Sequence, residues 1–317
     1  MVFTGGWRVL VGALVLSAGV VAPATASADP AFCDTWTESE LPKPDGVGPS
    51  GVAGAAGVWA VGNGSFRWTS GSAVLVWKDG QLVDQLSFFR NVVYASDVNS
   101  SGVVILTGHT FPAASRWQAG VYTTLRGWQG EHGVQAIDVN ERGDVLGESD
   151  GKPVVWPAGS ADARLVPGTD ASWSAIGIAD DGTVLASSNT GTYWLGASGP
   201  VQLGAGTDVE VRAVRGSYAA GRSGQQIVRW HLHGRESGPF AGAVDALSVN
   251  SHGHLLGTVD NGTTTGATAF WPDLDQQVGV DSGARFGVIT DEGDLYGTRV
   301  LEQSSSYPVV LKCVRGA

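Results

Sequence analysis

Residues Ala136–Gly159 read AIDVNERGDVLGESDGKPVVWPAG: a short run, an Asn-x-x-Gly turn, a second run, a Gly-containing loop, and a third run ending at Trp156. The same grammar returns from Ala175 as AIGIADDGTVLASSNTGTYWLGASG and from Ala246 as ALSVNSHGHLLGTVDNGTTTGATAFWPDL. Self-similarity at a period near 40 residues is the mark of chains built from stacked supersecondary units. The units alternate rather than wind. Ile137 and Val139, Ile176 and Ile178, and Leu247 and Val249 sit two apart, which in a strand places each pair on one face.

Outward from that stretch, the third strands end on Trp77, Trp117, Trp156, Trp194, Trp230 and Trp271, spaced 40, 39, 38, 36 and 41, with Leu311 in the seventh place 40 further on. The turn glycines Gly102, Gly143, Gly182, Gly253 and Gly293 keep the same beat, with one double step across a unit that lacks the turn. In Asn99-x-x-Gly102, Asn140-x-x-Gly143 and Asn250-x-x-Gly253, Asn caps its own backbone and Gly takes the left-handed conformation. Seven units of about 41 residues match the size of a four-stranded blade. The reading is an all-β, seven-bladed β-propeller with four-stranded antiparallel blades.

Composition agrees. The 317 residues hold 47 Gly and 13 Pro, and only 15% are charged, which suits many tight turns. A formal net charge of −11 argues against nucleic acid or an anionic membrane as partner. Arg8, the apolar run Val9–Val21 and the small residues Ala26-Ser27-Ala28 read as a secretory signal over 1–28, with one propeller domain over 29–317. The apolar run is too short to span a bilayer, so a secreted, extracellular protein is expected, with no membrane contact once the signal is removed.

The two cysteines, Cys33 and Cys313, lie at opposite ends of the exported segment. A disulfide is the default outside the cell, two free or intermolecular thiols the alternative. A ring leaves two sheet edges to be joined. Leu41 resembles the blade-ending Leu86, Leu125 and Leu203, so Trp36–Leu41 is expected as the outermost strand of the last blade, closing the ring with Cys33–Cys313 as its clasp.

The pattern Ala-Ile/Leu-x-Val-Asn-x-x-Gly-x-Val/Leu-x-Gly, followed by Ala269-Phe270-Trp271 or by Val76-Trp77-Lys78-Asp79-Gly80-Gln81-Leu82, resembles the HAF-type repeat of bacterial extracellular proteins. The resemblance covers about 50 to 313 in degenerate copies. It implies a propeller and brings no activity with it.

Strong catalytic signals are absent: there is no Gly-x-Ser-x-Gly, Cys-x-x-Cys or His-Glu-x-x-His. Neither metal nor cofactor is assigned. His231-x-His233 and His252-x-His254 read as turn and edge histidines, and Arg142-Gly143-Asp144 as turn residues. Asp97 and Asp138 hold equivalent first-strand positions that could face the channel. Two close, buried carboxylates there with raised pKa would favour a carbohydrate-active hydrolase or lyase.

The second-to-third-strand loop is long in units one, six and seven: Gly62 to Trp77 is 15 residues, Gly257 to Trp271 and Gly297 to Leu311 are 14. These neighbours would elaborate one sector of one face. Phe66, Trp68 and Tyr307 lie there, and Trp128, His132 and Trp173 lie in inter-blade loops expected on the same face. These six are the candidate ligand-binding residues of a monomeric, non-enzymatic module for an extracellular glycan or protein.

Overall fold

The computed structural model describes Cys33 and residues 35–108, 114–204, 208–232, 236–262, 266–302 and 305–314. The proposed signal at 1–28 lies outside the described residues. After β1 (Trp36–Glu40), blade 1 comprises β2 (Val47–Ala56), β3 (Trp59–Phe66), β4 (Gly71–Lys78) and β5 (Gln81–Phe89). Blade 2 comprises β6 (Val93–Val98), β7 (Val104–Gly108), β8 (Ala114–Gln118) and β9 (Val121–Thr124). Blade 3 comprises β10 (Val134–Val139), β11 (Val145–Ser149), β12 (Lys152–Trp156) and β13 (Arg164–Leu165). Blade 4 comprises β14 (Ser174–Ile178), β15 (Val184–Ser188), β16 (Gly191–Gly196) and β17 (Gly199–Gln202). Blade 5 comprises β18 (Val209–Arg215), β19 (Tyr218–Ser223), β20 (Gln226–His231) and β21 (Glu236–Ser237). Blade 6 comprises β22 (Ala243–Val249), β23 (Leu255–Val259), β24 (Ala267–Asp273) and β25 (Gln276–Gly279). Blade 7 comprises β26 (Arg285–Ile289), β27 (Leu295–Glu302) and β28 (Ser305–Cys313), and β1 completes it.

The chain is a seven-bladed propeller, closed as its sequence predicts. β1 runs antiparallel to β28, Trp36 opposite Cys313 and Glu40 opposite Val309. Cys33 and Cys313 are disulfide-bonded, their Cα atoms 5.6 Å apart. Leu41 is buried against blade 1, where it joins the cluster around Trp77.

Side chains between blades form the core. The six strand-end tryptophans are at most 4% exposed. In three blades the ring lies against a residue without a Cβ. A Cβ on Gly62, Gly147 or Gly257 would come within 2.8, 2.8 and 3.2 Å of Trp77, Trp156 and Trp271, so in blades 1, 3 and 6 the glycine of the second strand is the seat of the tryptophan. Several indole N–H groups are satisfied by a preceding loop: Trp156 donates to the Arg126 carbonyl at 2.8 Å and Trp271 to that of Ala241 at 2.9 Å.

One expectation is corrected. Every first strand carries a β-bulge at the same place, between Ala136 and Asp138 in β10 and between Ala246 and Ser248 in β22, for example. An extra residue breaks the alternation and re-aims the strand. Ile137 and Ile176 therefore line the central channel, while Val139 and Ile178 enter the core between blades, not one shared face.

The Asn turns also do more than cap themselves. Asn99 Oδ1 accepts from the Ser101 and Val103 amides, as a turn cap should, and its Nδ2 donates to the Asn140 carbonyl of the next blade at 2.9 Å. Asn140 reaches Ala179 and Asn250 reaches Thr290, each at 3.1 Å. These fully buried amides link blade to blade around one mouth of the channel.

Candidate functional site

Up-and-down blades put second-to-third-strand connections and inter-blade loops on one face, the other turns on the opposite face. In blades 1 and 7 the additional residues lengthen strands rather than loops. β3 and β4 run eight residues each, and β27 and β28 run eight and nine, where the same strands of blades 3 and 4 have five or six. The result is a pair of outgrown hairpins. In blade 6 the connection is a loop, with 263–265 outside the described residues.

Apolar side chains at the tips of these hairpins, and at the end of β5 beside them, face water: Trp68 is 85% exposed, Leu301 60% and Val300 55%, and Phe89 of β5 64%. Phe66 stacks on Phe89 with ring centroids 5.0 Å apart, and Val47 pairs with Phe66 across the sheet. Blade 7 lies alongside, since the Ser306 hydroxyl donates to the Ser50 carbonyl at 3.1 Å and Thr298 packs on the bare Cα of Gly51. Tyr307 is half-buried, opposite Arg299 and against the core of blade 7.

Trp128 and Trp173 are placed differently. Trp128 is half-buried beneath its own loop: its amide donates to Ser149 Oγ at 3.0 Å, and Lys152 Nζ sits 5.2 Å from its ring while pairing with Glu131 at 2.5 Å. Trp173 packs 5.5 Å from Tyr193 beside Val155 and Leu195. His132 is exposed. Of the six predicted residues, Phe66, Trp68 and Tyr307 belong to the outgrown sector, and Trp128, His132 and Trp173 to the entries of blades 3 and 4. Val300, Leu301 and Phe89 were missed, because nothing in sequence separates a strand extension from a loop.

The channel holds a cavity of about 220 Å³ lined by the first strands of all seven blades. Asp97 and Asp138 both face it, near enough for each carboxyl to shift the titration of the other. Burial raises both pKa values, that of Asp138 to about 8 with Asp97 as the next cause, while Arg215 opposes the rise at Asp97. Asp138 also accepts from the amides of Val139 at 2.8 Å and Ile178 at 2.7 Å. Arg215 reaches across from blade 5 to Asp97 at 3.3 Å and Glu141 at 3.4 Å, and donates to the carbonyls of Ala55 and Val98 at 3.4 and 3.2 Å. Burial works against its charge, but the surrounding carboxylates outweigh it and raise its pKa. One guanidinium thus ties blade 5 to blades 1, 2 and 3. It comes from the unit whose turn is Arg215-Gly216 in place of Asn-x-x-Gly, a departure that could have singled it out.

The carboxyl pair meets the expected closeness, burial and raised pKa. Its polar atoms are taken up within the channel, Asp97 by Arg215 and Asp138 by the Val139 and Ile178 amides, which gives the pair a structural role. His254 packs edge-on against Phe270 at 5.6 Å beside His252, and burial lowers its pKa to about 4. His233 lies outside the described residues. Among the described residues no cluster of three or more His, Cys, Asp or Glu side chains could hold a metal ion.

No family model matches the chain, and no curated protein does. Solved structures do. YCF48 from Cyanidioschyzon merolae is 12% identical, covering 87% of this chain and 98% of its own, at a TM-score of 0.53. A chain of a mitotic checkpoint complex is 15% identical, covering 96% of this chain and 100% of its own, at 0.51. The extracellular domain of a hybrid two-component system from B. thetaiotaomicron is 9% identical over 89% of this chain and 40% of its own, at 0.49. At these identities the likeness is one of fold: the chain is similar to β-propellers.

Proposed function

We propose that this chain is an exported recognition module that grips a partner protein at the cell surface with the outgrown hairpins of blades 7 and 1. The carrying observation is a sector of exposed apolar side chains on adjacent blades: Phe89 and Val300 on paired strands, Leu301 at the irregularity beside Val300, and Trp68 in the bend that joins β3 to β4. Exposed apolar groups on neighbouring rigid elements are what interfaces bury, and an aromatic at the centre supplies much of the affinity. Aliphatic side chains beside the rings favour a protein over a glycan, which would stack on rings alone. Trp128, His132 and Trp173 form a secondary part of the same face. The Cys33–Cys313 disulfide supports an oxidising compartment. The HAF-type kinship belongs to the same proposal and rests on the repeat residues.

The test is surface plasmon resonance of the folded chain against purified surface proteins, wall fractions and a glycan panel, repeated with Trp68→Ser/Leu301→Ser. A protein partner whose affinity drops at least about tenfold in the variant supports the assignment. Binding that ignores both substitutions overturns it.

A further inference from the structure

On the opposite face, between blades 2 and 3, lies a cavity of about 480 Å³ within the range of small-ligand sites. Two arginines line it: Arg142 is neutralised by Asp144 at 2.6 Å, whereas Arg116 of β8 is half-buried and its side chain has no hydrogen-bond or ion-pair partner among the described residues. A partly desolvated cation without a counter-charge is costly, and burial accordingly lowers its pKa.

The repeat contains its own control. The residue before the strand-end position is Val76, Arg116, Val155, Tyr193, Arg229, Phe270 and Val310 in blades 1 to 7. Only blades 2 and 5 place an arginine there, and Arg229 is fully engaged: it faces Asp273 at 3.9 Å, donates to Ser237 Oγ at 3.1 Å and to the Gly253 carbonyl, and lies 5.6 Å from the Tyr218 ring. Asp273 stands two residues after Trp271, and the residue two after Trp156 is Ala158. Tyr218 precedes the partner of Trp230, and the matching residue in blade 2 is Val103. Both replacements line the cavity. The carboxylate and the ring that satisfy Arg229 are thus missing around Arg116, and their space is open.

We propose that this cavity binds a single carboxylate carried on a sugar, a uronic acid unit, with Arg116 as the charge that holds it. A guanidinium and a carboxylate pair in a planar, two-bond geometry that restores what Asp273 gives Arg229. The rest of the wall suits a sugar rather than a peptide end. Trp59 presents an indole, while Ser101, Gln118 and Thr123 present hydroxyl and amide groups. The chain's net charge of −11 selects for one carboxylate over a polyanion. The site is independent of the hairpin face.

Isothermal titration calorimetry with glucuronate and galacturonate tests this, alongside glucose, galactose, acetate and a dipeptide. The expected result is saturable uronate binding, at least about tenfold weaker binding of the neutral sugars, and loss of binding in Arg116→Val without a fall in melting temperature, since blades 1 and 3 carry valine there. Should that variant prove unstable, Arg116→Gln removes the same charge. Absence of uronate binding, acetate or dipeptide binding as tight as the uronates, or binding that survives both variants would each overturn the proposal.

Discussion

Asp138 shows how strongly the channel constrains one side chain. Its carboxyl accepts two backbone amides, which favour the charged form, but burial and the neighbouring Asp97 carboxyl outweigh them and raise its pKa to about 8. An unfolded aspartate titrates near 3.8, so between those values the folded chain carries a proton that the unfolded chain has lost. Stability from this group is full below the lower value and declines as pH rises to the upper, by at most about 1.4 kcal/mol per pH unit. His254 acts in the other direction: its folded pKa of about 4 lies below the unfolded 6.5, so its contribution is present above 6.5 and disappears as pH falls to 4. Thermal melts should therefore show a loss of stability from pH 6.5 to 8 that Asp138→Asn, which imitates the protonated acid, flattens. A melting temperature equally steep in the variant would put the pH dependence elsewhere.

At the scale of the strand and blade, the tryptophan and its glycine act as one unit. Trp156→Ala should cost about 3–5 kcal/mol in denaturant unfolding, the usual range for emptying so large a buried volume. Gly147→Ala should be comparably harmful, because its Cβ would fall 1.9 Å from the Gln135 carbonyl as well as against Trp156. A loss below about 1 kcal/mol in either would contradict the packing described. The outgrown hairpin behaves otherwise: replacing 67–70 with a two-residue turn should leave unfolding within about 1 kcal/mol of the parent, since Trp68 buries little, while removing partner binding.

This scale also marks the limit of what sequence can disclose. The strand order and the closing strand were legible because Trp, Gly and Asn recur at fixed spacing, each for a local steric reason. The bulges were not, since a strand with one additional residue keeps a plausible alternation until its partner is known. Nor were the Arg215 tie, the amide links between blades or the unpartnered Arg116. Each depends on which blade sits across the channel or next in the ring, and on what a neighbour lacks. Among the candidate residues, Trp68 was legible as exposed, whereas Trp128 and Trp173 pack locally against Lys152 and Tyr193.

In the whole molecule, closure joins ends that are 280 residues apart. By chain entropy the disulfide contributes at most about 5 kcal/mol, so reduction should lower the unfolding midpoint while circular dichroism still reports β-sheet before the transition. β1 supplies the rest of the closure, through its pairing with β28 and through Glu38, which pairs with Arg299 and accepts from Ser282 at 2.7 Å.

Native-state hydrogen exchange tests closure most directly. If the ring is latched, the β1 amides that face β28 exchange together with those of β27 and β28, through the same opening of blade 7, in oxidised protein. Exchange of Trp36–Glu40 at the rate of a free peptide, with the rest of blade 7 protected, would contradict a closed ring.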